Sequence, residues 1–199
     1  MSAAAIFLAA YVAGSIPTSW IAARYGAGID LREHGSKNLG ATNLYRVLGW
    51  KYAIPVGLFD AAKGAVPVVL LAPLAGSQRW MPLAVGVAAV LGHVYSVFMR
   101  FRGGKGVATA AGVVLALAPI PLAISVAVWA LVLKLTGYVS LSSVTGALTF
   151  PVAAWLLHSD LYLLAVGVAL AVFIVYTHRA NVRRLLSGTE SRFGRRGEA

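Results

Sequence analysis

Four polar segments interrupt an otherwise apolar chain, and their residue types suit the binding of phosphate. They read GSKNLGATNLYR (35–46), FRGGKGVAT (101–109), SLSS (140–143) and HRANVRRLLSGTE (178–190). An Arg guanidinium holds an oxyanion through two parallel hydrogen bonds, and a Lys ammonium acts as a mobile point charge. Glycines let backbone N–H groups converge on an anion, and a helix that begins after Gly106 would add its positive end. The segments therefore predict a site for phosphorylated ligands.

Each segment also has a plainer interpretation. Basic loops of membrane proteins often serve topology alone, and glycines in loops mostly form turns. In the first segment, polar side chains could cap helix ends, but caps would account for only one or two of Ser36, Asn38, Thr42 and Asn43, and not for Arg46. The sequence GGKG directly before an apolar stretch favours phosphate binding. It is not a Walker loop, because G-x-x-x-x-G-K-[ST] is absent.

Composition indicates the kind of protein that must position these segments. Of 199 residues, 59% are hydrophobic and 12% are charged, and the mean hydropathy is +0.80. Soluble domains usually carry about 25% charged residues, so we expect an all-α integral membrane protein with one polytopic domain over residues 1–199. The net charge of +11 indicates cytoplasmic loops that face anionic lipid, or anionic substrates, and we expect no nucleic-acid partner. Cysteine is absent and carboxylates are few, so we expect no metal and no cofactor.

The apolar stretches predict the membrane spans. We expect seven, over about 2–23, 52–75, 80–99, 107–118, 120–134, 139–157 and 160–178. The stretch 107–134 could also be a single long span, but Pro119 and Pro121 disfavour a continuous helix. With two spans there, every Lys and Arg except Arg79 and Lys63 falls on one side. The positive-inside rule then puts the N-terminus outside and a basic tail, 179–199, in the cytoplasm.

Asp60 and Lys63 are charged residues within the second predicted span. Their i, i+3 spacing puts them on one helix face. Two interpretations stay open: a structural ion pair that lowers the cost of charge in the membrane, or a wall of the active site. His34, His93 and His178 fall near the inner interface, where a lone histidine is more often a hydrogen-bonded structural group.

The polar segments and their neighbours resemble one family, the bacterial acyl-phosphate:glycerol-3-phosphate acyltransferases. Lys37 stands where members of that family often have Gly, while its neighbours match. The matching stretches are GSIPTSW (14–20), DLREHGSKNLGATNLYR (30–46), DAAKGAVP (60–67), LGHVYSVFMRFRGGKGVAT (91–109), SLSS (140–143) and THRANVRRLLSGTE (177–190).

This resemblance implies a seven-helix enzyme of the bacterial cytoplasmic membrane. Such an enzyme transfers a fatty acyl group from acyl phosphate to the sn-1 hydroxyl of glycerol-3-phosphate and releases lysophosphatidic acid and phosphate. It uses no acyl-CoA or acyl carrier protein. The donor lies in the bilayer and its phosphate is polar, so the reaction needs a polar cradle at the membrane surface. Holding two anionic substrates together is the main task, and a substrate phosphate could accept the hydroxyl proton.

The resemblance also implies the site residues. The expected catalytic residues are Ser36, Arg46 and Lys105. The expected substrate-binding residues are Asn38, Thr42, Asn43, Gly103, Gly104, Gly106, Ser142, Ser143, His178, Asn181, Arg184 and Glu190. A transporter or channel for a small phosphorylated anion is the alternative, but its sites should lie near the midplane. A lipid-binding scaffold would need the basic residues and not the Asn, Ser and Thr side chains.

Overall fold

The described part of the protein, residues 2–157 and 160–194 of a computed structural model, is helical and contains no strand. The chain divides into two compact units, Met1–Leu117 and Ala118–Ala199. Each unit carries part of the predicted site.

Seven helices form the first unit. They are α1 (Ala3–Ser15), α2 (Thr18–Ala27), α3 (Ala41–Leu48), α4 (Trp50–Val66), α5 (Ala72–Ala75), α6 (Met81–Val94) and α7 (Val107–Leu117). A π-helical turn, Pro67–Leu71, joins α4 to α5, and a 3-10 turn, Val97–Met99, follows α6. α7 begins directly after Gly106, as the sequence predicts.

Two prolines break the long apolar helices of this unit. Pro17 lacks a backbone N–H, so α1 ends at Ser15 and α2 begins at Thr18. At Pro67 the helical hydrogen bonds widen, and the Ala72 N–H donates to the Pro67 carbonyl five residues back. The first predicted span is therefore two helices, and it extends to Ala27.

Glycines let these helices pack with their backbones in contact. A Cβ on Gly14 would collide with the Ala89 carbonyl oxygen, which joins α1 to α6. A Cβ on Gly112 would collide with the Ala61 carbonyl, which joins α7 to α4. Close approach through small residues is the usual way in which helices associate inside a membrane, because apolar burial alone gives no preference over lipid.

The second unit contains four helices. They are α8 (Pro119–Thr136), α9 (Val139–Leu156), α10 (Leu161–Thr177) and α11 (Arg179–Leu186). Gly137, with φ of +74°, ends α8 in the left-handed conformation and turns the chain into α9. The first part of the predicted tail is therefore ordered, since α11 lies within it and Glu190 is buried. Residues 195–199 of that tail lie outside the described residues.

Within residues 2–157 and 160–194, five helical segments are long and apolar enough to cross a membrane: Ala3–Ala27, Trp50–Ala75, Met81–Met99, Pro119–Thr136 and Val139–Leu156. α10 passes the same test together with α11, from which it is bent by 59°. α7 is apolar, but its 11 residues span only about 16 Å. The stretch 107–134 is two helices separated by Ala118. The number of crossings and the orientation of the termini stay predictions.

Candidate active site

The predicted site residues fall into two groups, one in each unit. The first unit holds nine: Ser36, Asn38, Thr42, Asn43, Arg46, Gly103, Gly104, Lys105 and Gly106. The second unit holds six: Ser142, Ser143, His178, Asn181, Arg184 and Glu190. Each group draws together residues that are distant in the sequence.

Asn43 holds the polar loop before α3 in shape. Its Oδ1 accepts the Ser36 N–H at 2.8 Å, and its Nδ2 donates to the His34 carbonyl at 3.0 Å. The side chain is 1% exposed. Helix capping does not explain this segment, because Gly40 occupies the N-cap position of α3 without a side-chain hydrogen bond. Asn43 therefore acts through the loop conformation, which sets the positions of the neighbouring polar residues.

Lys37 lies in the same loop with φ of +59°, the left-handed region that glycine adopts without steric cost. This backbone conformation gives a physical reason for the glycine that resembling sequences often carry there. The side chain of Lys37 is exposed, so the substitution leaves the contacts of Asn43 intact.

The two predicted catalytic cations of this unit, Arg46 and Lys105, stand at the ends of short elements. Arg46 lies in the last turn of α3 and is half-buried. Lys105 is also half-buried and precedes Gly106, whose φ of +83° turns the chain into α7. The first turn of a helix leaves its N–H groups without intrahelical acceptors, so residues 107–109 present donors directly after the Lys105 ammonium. Arg46 and the Lys105 loop stay the predicted anion-binding elements of the first unit.

Gly103 and Gly104 attach the loop to the end of α6. The Gly103 N–H donates to the Val94 carbonyl at 2.9 Å, and the Gly104 N–H donates to the His93 carbonyl at 3.1 Å. A Cβ on Gly103 would collide with the His93 carbonyl oxygen, and a Cβ on Gly104 would collide with the His93 ring. These two N–H groups are therefore engaged within the protein, and a phosphate at this loop would meet donors that come later in the chain.

Asp60 and Lys63 form an ion pair, with 2.7 Å between Lys63 Nζ and Asp60 Oδ1. Both side chains are at least 96% buried. The Thr18 hydroxyl donates to Asp60 Oδ1 at 2.5 Å, and His93 Nδ1 lies 3.7 Å from the same oxygen. Lys63 and His93 also line a small pocket together with Gly103 and Gly104. The two side chains thus form an ion pair beside the glycine loop, and both interpretations, a structural pair and a wall of the active site, stay open.

Glu190 organises the second group. Its Oε1 accepts from Ser140 Oγ and from Asn181 Nδ2, each at 2.7 Å, and its Oε2 accepts from Arg184 Nε at 2.7 Å. Burial raises the pKa of the Glu190 carboxyl, but the hydrogen bonds from Asn181, Ser140 and Arg184 outweigh burial and hold the pKa below its ordinary value. An ionised carboxylate only accepts hydrogen bonds, so it fixes the orientation of the Asn181 amide.

The remaining predicted site residues of the second unit make hydrogen bonds within their own helices, and Ser143 Oγ also accepts one from Trp129 Nε1 of α8 at 3.4 Å. The Ser142 and Ser143 hydroxyls donate to the Tyr138 and Val139 carbonyls, each at 2.8 Å. His178 Nδ1 lies 2.8 Å from the Ile174 carbonyl oxygen, which can only accept. Nδ1 therefore donates the hydrogen bond in this contact.

Sequence reasoning missed three contributors. Thr18 and Ser140 belong to matched stretches, but nothing in their spacing shows that they bond to carboxylates 42 and 50 residues away. Thr109 is fully buried in the first turn of α7, and its hydroxyl has no hydrogen-bond partner within the described ranges. In the sequence, the position of Thr109 in the stretch GGKGVAT is the one feature that could have indicated it.

Comparison with known proteins identifies the family. The family model for glycerol-3-phosphate acyltransferase matches residues 4–188. Proteins named glycerol-3-phosphate acyltransferase from Chlorobaculum parvum and Desulforudis audaxviator are 45% and 48% identical to this chain. The first match covers 96% of this chain and 97% of the relative, and the second covers 97% and 98%.

Two crystal structures of PlsY, an integral membrane glycerol 3-phosphate acyltransferase, share the fold. Its glycerol 3-phosphate form is 40% identical with a TM-score of 0.91 and covers 96% of both chains. Its lysophosphatidic acid form is 37% identical with a TM-score of 0.88 and covers 96% of this chain and 95% of the other. These matches span the polar segments of both units. The chain belongs to the glycerol-3-phosphate acyltransferase family and is a multi-pass integral membrane acyltransferase.

Proposed function

We propose that the protein transfers a fatty acyl group from acyl phosphate to the sn-1 hydroxyl of glycerol-3-phosphate in phospholipid biosynthesis. The observation that carries the proposal is the family match over residues 4–188, which includes every predicted site residue except Glu190. The solved relative has a glycerol 3-phosphate form and a lysophosphatidic acid form. These are the acceptor and the product of the proposed reaction.

The chemistry is the displacement of phosphate from a mixed anhydride. The acceptor hydroxyl oxygen forms an ester bond to the acyl carbon, and the bond from that carbon to the phosphate oxygen breaks. Inorganic phosphate leaves with the bonding electrons, and the hydroxyl proton passes to a substrate phosphate. The enzyme contributes proximity and positive charge, because two anionic substrates repel each other in water.

Arg46 and Lys105 supply that positive charge, and Ser36 is the third proposed catalytic residue. Together with the other residues of the first group, these three form the proposed phosphate-binding cradle. The other residues are Asn38, Thr42, Asn43 and the glycine loop. The substrate-binding residues that we propose in the second unit are Ser142, Ser143, His178, Asn181 and Arg184. Glu190 acts on the substrates through Asn181 and Arg184, whose donors it orients.

The donor can be tested directly with purified protein in EDTA. We expect lysophosphatidic acid from glycerol-3-phosphate and acyl phosphate, and none when acyl-CoA or acyl carrier protein thioester replaces the acyl phosphate. Lys105→Ala protein, purified in the same way, controls for transfer without enzyme. Activity that requires added magnesium, or that acyl-CoA alone supports, would contradict the proposal.

The cradle belongs, in this proposal, to the cytoplasmic side of the bacterial inner membrane. The distribution of Lys and Arg supports this orientation. Single cysteines can be placed in this cysteine-free chain at Ser2, Ile120 and Ser187, which are all exposed. We expect an impermeant thiol reagent to label intact cells at Ser2 and Ile120 and to spare Ser187. Labelling at Ser187 without labelling at Ser2 would reverse the orientation.

A further inference from the structure

We infer that Asp60 and His93 are positioning residues, which fix the glycine loop that carries Lys105 without touching substrate. This inference rests on the function proposed above. It gives the charged pair inside the membrane a task in acyl transfer in addition to helix packing.

The Asp60 carboxylate gathers groups from three helices of the first unit. Thr18 is the first residue of α2, Lys63 lies on α4 itself, and His93 lies in the last turn of α6. Lys63 Nζ also donates at 2.8 Å to the carbonyl of Ile16, the residue at the break between α1 and α2. Asp60 thus links the break in the first span to the end of α6.

Helix packing alone does not require such a pair. Buried ion pairs cost desolvation that apolar side chains avoid, and the cost is higher inside a membrane. α4 already packs closely through Gly64, where a Cβ would collide with the Thr109 carbonyl of α7. The pair therefore adds a fixed geometry that the small residues of α4 do not supply.

His93 transmits this geometry to the loop. One edge of its ring faces Asp60, with Nδ1 3.7 Å from Oδ1, a separation beyond a direct hydrogen bond. The other edge faces Gly104, where the ring nitrogen Nε2 occupies the space that a Cβ would need. The Gly104 N–H donates to the His93 carbonyl at 3.1 Å. The imidazole is therefore held between the carboxylate and the loop.

Lys105 is the next residue, so a shift of Gly104 moves its ammonium and the start of α7. A misplacement of about 1 Å in a positioning element can cost about 100-fold in rate. The expected consequence is a change in substrate handling, which separates positioning from a purely structural role. Loss of packing lowers the amount of folded enzyme, whereas loss of loop position changes KM or kcat per folded molecule.

The test compares Asp60→Asn, His93→Ala, His93→Gln and Thr18→Val with Lys105→Arg. Both substrate KM values and kcat are measured on monodisperse protein below each variant's Tm. We expect Lys105→Arg to raise the KM of one substrate. Asp60→Asn and His93→Ala should raise the KM of that same substrate by about 10-fold or more. Thr18→Val and His93→Gln keep much of the local shape, so they should fold and shift the same constant by about 2–5-fold.

A double variant measures the coupling. If Asp60 acts through Lys105, Asp60→Asn combined with Lys105→Arg should lose less than the product of the two single losses. Ser125→Ala is the control, because this buried serine in a span bonds only to the Pro121 carbonyl of its own helix. We expect both KM values of the control to match the wild type.

Two results would overturn the inference. If the variants have a lower Tm but unchanged kcat and KM values, the contacts of Asp60 and His93 serve helix packing alone. The same would follow if the losses of the two single variants multiply fully in the double variant. A wild-type protein without turnover on acyl phosphate and glycerol-3-phosphate would instead overturn the proposed function. The two failures are therefore distinguishable.

Discussion

Lys105→Ala and Arg46→Ala are each expected to lower kcat by about 10²–10³-fold while the protein still folds and inserts. Each change removes a charge-assisted contact that is needed as negative charge develops on phosphate, which corresponds to about 3–4 kcal/mol. Arg46 and Lys105 are both half-buried, so neither is a freely solvated surface charge. Initial rates on purified variants, with both substrates saturating, measure the effect.

The matched controls are exposed cations of the same types. Arg100→Ala and Lys51→Ala should change the rate less than about threefold, because both side chains are exposed. Arg46→Lys should rescue poorly, since an ammonium lacks the planar fork of guanidinium. Equal losses in all four alanine variants would mean that general surface charge, and not a cradle, drives the reaction.

Glu190→Ala is expected to destabilise the second unit and to abolish most activity. The change leaves the Asn181 amide and the Ser140 hydroxyl without their acceptor. Two buried donors without acceptors cost on the order of 2–4 kcal/mol, or roughly 5–15 °C in Tm for a chain of this size. Thermal unfolding in detergent measures the shift. Glu33→Ala is the control, because Glu33 is exposed.

The same carboxylate predicts a pH dependence. Because hydrogen bonds hold the Glu190 pKa below its ordinary value of 4.5, its stabilising effect is complete above that value. The effect is lost as the pH falls through the lower pKa of the folded state. We expect the Tm of the wild type to fall in this acidic range and Glu190→Gln to flatten the fall. A Tm of Glu190→Ala equal to that of the wild type would contradict the role of Glu190.

Local sequence was sufficient to predict the elements that follow local rules. The start of α7 after Gly106 follows from GGKG before an apolar run, and the break near Pro119 follows from the missing proline N–H. The spacing of Asp60 and Lys63 predicted a shared helix face, and the two side chains form an ion pair. The family stretches identified the polar segments on which the proposed reaction depends.

The contacts that assemble each group could not be predicted from spacing. Gly103 and Gly104 resemble a phosphate nest, but their N–H groups bond to α6, because only tertiary packing decides which acceptor a loop donor meets. The resemblance placed Glu190 among the substrate-binding residues, but the spacing did not show that its carboxylate is buried and accepts hydrogen bonds from Ser140 and Asn181. The three donors that meet this carboxylate, two of them buried, are brought together only by the fold.

The central claim is the direct transfer of an acyl group from acyl phosphate to glycerol-3-phosphate. It can be followed by ³¹P NMR in one sample of purified protein with both substrates and EDTA. We expect the acyl phosphate signal to decline while inorganic phosphate and lysophosphatidic acid appear in equal amounts. Release of inorganic phosphate with glycerol-3-phosphate left unchanged would show hydrolysis in place of transfer, and would contradict the account.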